Sequence, residues 1–227
     1  MSGQLTTRVY LVRHGATQLS AEDRFAGAVN VELSQEGIFQ AQRLSGRLAD
    51  DQISAVYCSP LARTVHTAAL LAKPHNLPLL ERDGLREIHH GHWEGMVRAD
   101  VETQFPEEYA AWEEDPFTFA PQGGEAGVNV IARALPVIRE IILEHRGQNV
   151  LIVSHKATLR LLISVLLGFD PRGYRDRLDQ SPACLNVIDF KDPVRARLML
   201  FNDVSHYIDQ PQRAGLHLSK WWDEEPK

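Results

Sequence analysis

Val9-Tyr10-Leu11-Val12-Arg13-His14-Gly15-Ala16-Thr17 is the stretch that decides the fold. Its first residues are apolar and β-branched, the make-up of a buried strand, and it ends abruptly in a guanidinium, an imidazole and a glycine. Gly15 is expected to let the backbone turn sharply as it leaves the sheet. Open α/β sheets place their ligands beyond the carboxyl ends of their strands. A phosphate suits this end: Arg13 brings fixed charge and a planar fork of donors. His14, neutral near pH 7, brings a nitrogen lone pair able to attack phosphorus.

Outward from this stretch, residues 8–13, 55–59, 149–154 and a weaker 79–81 read as strands separated by helical segments. That alternation predicts a mostly parallel sheet with crossover helices. Ser34 caps a helix whose apolar face is Ile38, Ala41, Leu44 and Leu48. Ser59 and Pro60 read as cap and first residue of a second helix, with Leu61, Val65, Ala68 and Ala72 turned inward. Thr158 opens a third, which Gly168 closes. Residues 184–190 and 195–200 flank Asp192-Pro193 and read as an antiparallel hairpin at the sheet edge. The stretch 91–127 differs in character, being acidic, aromatic and interrupted by prolines, with a short helix over 107–114. It reads as an insertion over the active edge, a cap or wall. Helical spacing resumes over 125–146, where Pro136 predicts a kink. The expected fold class is therefore α/β, a three-layer α/β/α domain spanning 1–227 with an antiparallel edge and an inserted cap.

The 227 residues suffice for one substantial core, and 24% charged with 44% hydrophobic residues is an ordinary globular balance. A net charge of −6 argues against nucleic acid as a partner. An anionic substrate then needs a local cationic pocket, which makes the placement of a few arginines informative. Cys58 and Cys184 read as reduced, buried thiols. The amino terminus has no secretory pattern, and the most apolar run, 161–169, is too short to span a membrane. No membrane partner and a cytoplasmic location are the expectation, with a homodimer left open.

A second buried strand, Val150-Leu151-Ile152-Val153-Ser154, also ends in a histidine, His155, directly before a helix. Two parallel strands ending alike would bring His14 and His155 to one edge, where helix amino termini favour an anion. Arg63, in the first turn after Ser59-Pro60, belongs near that edge too. Glu87 lies just past the weak strand, where a carboxyl can donate a proton.

These residues resemble those of the histidine phosphatase superfamily, the phosphoglycerate mutase-like enzymes, over roughly residues 8–201. The resemblance rests on Arg13-His14-Gly15, Arg24-Phe25-Ala26-Gly27, Leu33-Ser34-Gln35-Glu36-Gly37 with Gln40-Ala41, and Ser59-Pro60-Leu61-Ala62-Arg63-Thr64. It continues through Arg86-Glu87-Ile88, Gly91-His92-Trp93-Glu94-Gly95, Gly123-Gly124-Glu125 and Val153-Ser154-His155. It implies that His14 attacks phosphorus and becomes a phosphohistidine, while Arg13, Arg63 and His155 hold the non-bridging oxygens. Glu87 would protonate the leaving oxygen and then assist water. No metal or organic cofactor is implied. Thr17, Ser20 and Gly27 are candidates for the substrate side of the pocket.

The chain departs from the family pattern at two places. Lys156 follows the second histidine where glycine is usual, and either adds charge beside the phosphate or faces solvent. Ser20 replaces an asparagine, which removes an amide donor. His89, His90 and His92 suggest zinc by type, but no metal-ligand spacing accompanies them, and surface or wall residues are the better reading, with His90 nearest the pocket. Arg98 is either a substrate contact or a solvated cap residue.

The expected activity is hydrolysis of small phosphorylated metabolites through a phosphohistidine on His14. The alternatives are a cofactor-dependent phosphoglycerate mutase and a non-catalytic phospho-ligand module. A mutase needs an enclosing insertion after the glutamate, whereas Gly91–Gly95 has the phosphatase character, and Gln122-Gly123-Gly124-Glu125 resembles metal-independent phosphoserine and sugar-phosphate phosphatases. If Glu87 is the acid, activity favours mildly acidic to neutral pH.

Overall fold

The computed structural model describes residues 5–21 and 24–208, with the side chains of Ser20 and Ala21 left aside. The tail 219–227 lies outside the described residues. The strands are β1 (Thr7–Arg13), β2 (Ile53–Cys58), β3 (Leu79–Glu81), β4 (Asn149–Ser154), β5 (Leu185–Phe190) and β6 (Ala196–Asp203). The α-helices are α1 (Gln18–Ala21), α2 (Gln35–Leu48), α3 (Ala62–Ala72), α4 (Arg98–Gln104), α5 (Pro106–Glu114), α6 (Gly127–Glu144), α7 (Lys156–Leu167) and α8 (Tyr174–Arg177).

One six-stranded sheet runs in the order β3-β2-β4-β1-β5-β6. The first four strands pair in parallel, and β5 and β6 add antiparallel pairs at one edge. Alternation sorts the strand residues onto two faces. Val9, Leu11, Tyr57, Val150 and Ile152 pack against Ile138 and Ile141 of α6 and Leu159 and Leu162 of α7. Tyr10, Val12, Val56, Cys58, Leu151 and Val153 pack against Leu44 and Leu48 of α2 and Ala68 and Leu71 of α3. Helices thus cover both faces, giving the three-layer α/β/α arrangement expected. Cys58 and Cys184 are buried free thiols.

Register at the centre of the sheet positions the site. Arg13 of β1 lies opposite Ser154 of β4, and Val153 lies opposite Cys58 of β2. The three strands therefore end together. The His14 amide donates to the Ser154 carbonyl at 3.0 Å, and the Ser59 amide to that of Val153 at 3.1 Å.

Two helix starts differ from the sequence reading. Leu61, not Ser59, is the N-cap of α3, and α7 starts at Lys156 rather than Thr158. In both cases the hydroxyl has a tertiary partner near the site, and Ser59 Oγ also accepts the Leu61 amide at 3.4 Å, just ahead of the helix. Ser34 does cap α2, accepting from the Gly37 amide, and Gly168 closes α7 in the left-handed region. Pro136 lies inside α6, whose span is unbroken.

Gly15 also has a different reason for being glycine. It is not among the residues with positive φ. A Cβ there would instead stand 2.4 Å from the Gly37 carbonyl oxygen, and a Cβ on Gly37 would stand 2.1 Å from that of Ala16. The start of α2 is packed backbone to backbone against the loop carrying His14. Ser34 Oγ donates to the Ala16 carbonyl, and Gln40 Oε1 accepts the Ala16 amide.

Trp93, Val101, Tyr109 and Trp112, between β3 and α6, form a separate cluster with Phe25 from the loop after β1. Phe25 exchanges backbone hydrogen bonds with residues 95 and 96, and Arg24 bridges Val97. The loop after β1 is thereby stitched to this segment. Among the described residues no helix is long and apolar enough to cross a membrane.

Candidate active site

His14 and His155 meet edge to face at the shared strand end, with ring centroids 5.3 Å apart. His14 Nδ1 lies 2.7 Å from the Gly15 carbonyl oxygen. A carbonyl only accepts, so Nδ1 carries the proton and Nε2 keeps its lone pair. Burial foremost, then Arg63 and Arg13, hold the His14 pKa well below 6.5. The ring is thus neutral near pH 7 and presents a free nitrogen.

Arg63 is fully buried in the first turn of α3 and reaches three acceptors. Its Nε donates to His155 Nδ1 at 3.2 Å, its Nη1 to the Val29 carbonyl and its Nη2 to the Gly27 carbonyl. Because Nδ1 of His155 accepts, its proton sits on Nε2, which donates to Ser59 Oγ at 2.8 Å. Burial, Arg63 and His14, in that order, lower the His155 pKa well below 6.5. Arg13 donates to the Gln180 carbonyl at 2.6 Å, while its buried Nε has no hydrogen-bond partner among the described residues. Two guanidiniums therefore flank two neutral imidazoles, and Glu87 is an anion that faces both guanidiniums.

Glu87 sits at the amino terminus of α7. Its Oε1 accepts from the Ile88 amide, the Thr158 amide and Thr158 Oγ1, and its Oε2 accepts from the Ala157 amide, all at 3.1–3.2 Å. Helix N-termini stabilise such a group through unpaired amides and the aligned dipole. Arg133 of α6 fixes the segment around it: its guanidinium donates to the Gly84, Arg86 and Glu87 carbonyls and pairs with Glu125. Glu94 performs a similar task on the other side. Its carboxylate accepts from the Ala28, Val29 and His90 amides and sits where a Cβ on Gly27 would be. The carbonyls that hold Arg63 are held in turn by Glu94.

Of the remaining sequence candidates, Thr17 is buried just after β1, and Gly27 serves through its carbonyl to Arg63. The Ser20 side chain lies outside the described residues. Lys156, half-buried, opens α7 with its Nζ 4.0 Å from Asp179 Oδ1. Arg98 starts α4 in the aromatic segment, next to the Arg24–Val97 bridge. The three clustered histidines have separate partners. His89 Nδ1 accepts the Gly91 amide, His90 packs on Phe25, and His92 pairs with Glu108 at 2.7 Å. Among the described residues no group of three or more His, Cys, Asp or Glu could hold a metal ion.

Ser59, Arg133, Glu94, Asp179 and Gln180 were not singled out from sequence as site residues. Only Ser59 and Glu94 lie within motifs quoted above, and nothing in their spacing assigns them these contacts.

Buried neutral imidazoles make stability depend on pH. His90 is pushed down to about 3 and His206 to about 4, in both cases mainly by burial, and His14 and His155 shift the same way. As pH falls below about 6.5 the unfolded chain takes up protons before the folded one, so stability present above that value is lost below it. Tm at constant ionic strength is expected to fall steadily from pH 6.5 to 4. A flat profile in differential scanning fluorimetry would contradict this burial.

Comparison with known proteins agrees with the geometry. The family model for the histidine phosphatase superfamily (branch 1) matches residues 9–204. Phosphoserine phosphatase 1 of Hydrogenobacter thermophilus is 34% identical over 163 residues, 72% of this chain and 77% of its own. The adenosylcobalamin/alpha-ribazole phosphatase of Escherichia coli is 33% identical over 183 residues, 80% of this chain and 89% of its own. Among solved structures, Bacillus stearothermophilus YhfR superimposes with a TM-score of 0.83 at 30% identity, covering 88% of this chain and 98% of that one. The ordered motifs, the sheet and these matches lead to one conclusion: the chain belongs to the histidine phosphatase superfamily.

Proposed function

We propose that this chain hydrolyses small phosphomonoesters through a phosphohistidine on His14, without a metal. The observation that carries the reading is the state of His14: Nδ1 is committed to the Gly15 carbonyl, and Nε2 is left as a lone pair beside Arg13, Arg63 and His155. Two arginines supply the charge that a divalent cation supplies elsewhere. His14 Nε2 attacks phosphorus, the P–O ester bond breaks, and Glu87 gives its proton to the leaving oxygen. Water, deprotonated by Glu87, then breaks the P–N bond, releasing phosphate and restoring the free imidazole. In this reading residues 91–127, with Arg98 and the aromatic cluster, wall the leaving-group side within a single domain.

Relatives named for phosphoserine and for alpha-ribazole differ in their leaving groups, and a phosphomonoester is what they share. A panel of phosphorylated metabolites, assayed for free phosphate with and without chelator, tests the proposal. Release that is unaffected by chelator is expected. Interconversion of phosphoglycerates without free phosphate would establish a mutase instead, and loss of turnover in chelator would overturn metal independence.

A further inference from the structure

Lys156, Arg160 and Asp179 form a group that the hydrolysis above does not use. Lys156 and Arg160 are four residues apart on α7 and share one face. Arg160 Nη2 donates to Asp179 Oδ1 at 3.1 Å, and Lys156 Nζ lies 4.0 Å from the same oxygen. The next residue, Gln180, accepts Arg13 through its carbonyl. Asp179-Gln180 therefore ties the pair to the phosphoryl cradle, and Lys156 directly follows His155. Lys156, Arg160 and Arg13 face two carboxylates, Asp179 and Glu87, which leaves a surplus of one positive charge here, in a chain whose net charge is −6.

The two cations differ in access. The Arg160 side chain is 7% exposed and committed to Asp179, whereas that of Lys156 is 27% exposed and is the reachable end. An ammonium has three donors, and one oxygen at 4.0 Å does not occupy them. The groups facing Lys156 are Arg160 on α7, Arg13 on β1, Asp179 ahead of β5 and Glu87 beyond β3. Burial first, then Arg160 and Arg13, push its pKa down to about 7, against Asp179 and Glu87. An approaching anion would relieve that situation.

We propose that Lys156, backed by Arg160, binds a carboxylate on the leaving group, so that the preferred substrates are phosphomonoesters carrying a carboxylate near the ester. This rests on the hydrolase reading and narrows its substrate class. A carboxylate fits better than a second phosphate for two reasons. Asp179 and Glu87 offset two of the three positive charges, which leaves a match for a monoanion. The guanidinium that would fork onto a phosphate is buried against Asp179.

The test pairs matched compounds: 2-carboxyethylphosphonate against propylphosphonate for binding by calorimetry, and O-phosphoserine against O-phosphoethanolamine for kcat/KM. At pH 6.5 the wild-type chain is expected to favour the carboxylated member about tenfold or more in both assays, the scale of one charge-assisted hydrogen bond. Lys156→Gln is expected to reduce that preference to about threefold or less. The wild-type preference should fade as pH rises through about 7, because the ammonium that binds the carboxylate is lost. Lys156→Arg, with a charge fixed across this range, should keep the preference and flatten the pH dependence. No preference in the wild type, or an equal one in Lys156→Gln, overturns the subsite while leaving hydrolysis intact. A binding preference without phosphate release from any ester overturns the hydrolase reading and leaves the carboxylate contact standing.

Discussion

Alanine at position 14 is expected to lower turnover of every phosphomonoester by about 10⁴-fold or more, the scale seen when a covalent nucleophile is removed. The size follows from the geometry. The Gly15 carbonyl holds Nδ1, and burial with Arg63 and Arg13 keeps the ring neutral, so one lone pair is aimed into a cationic cradle. The neighbouring His155 cannot take over. Its Nδ1 accepts from Arg63 and its Nε2 donates to Ser59, so neither nitrogen is available to attack. A phosphoramidate trapped from a labelled ester, stable in base and labile in acid, should appear with the wild-type chain and be absent from His14→Ala. Turnover within about tenfold of wild type would remove His14 from the mechanism.

Glu87→Gln should separate proton donation from docking. General acid catalysis contributes about 10²–10⁴-fold, so alkyl phosphates, whose alkoxide leaves poorly, should lose that much. A nitrophenyl phosphate should lose far less, because its phenolate departs without a proton. The variant also has a structural cost. Glu87 accepts four hydrogen bonds, three from backbone amides, and a glutamine would turn its own N–H₂ toward one of those donors. These bonds are part-buried, so leaving one donor unsatisfied costs about 1 kcal/mol, the low end for a buried group, and a slightly lower Tm is expected alongside the kinetic effect. The leaving-group dependence is what identifies the acid. Equal losses on both esters would reduce Glu87 to an anchor for α7.

What the sequence determined by itself is the local and repetitive part of this protein. Apolar runs at 8–13 and 149–154 announce central strands because burial on both faces leaves no polar alternation. Ser34 ahead of α2, and Gly168 at the end of α7, signal helix boundaries because capping favours particular residue types there. Two strands that both end in histidine already suggested a shared edge. Tertiary structure decided the rest. The register that sets Arg13 opposite Ser154 comes from pairing across some 140 residues, and it brings the two imidazoles to one edge. Gly15 reads in sequence as a turn residue, yet close backbone packing against Gly37 is what requires it, and a one-dimensional pattern cannot tell those causes apart. Ser59 and Thr158 looked like helix caps because local rules favour hydroxyls there, whereas long-range partners, His155 and Glu87, claim both side chains. Asp179 and Gln180 carry no signal of their own. They matter only because the chain returns to β1 and α7 at that point, which is a consequence of how the sheet closes rather than of any spacing along the chain.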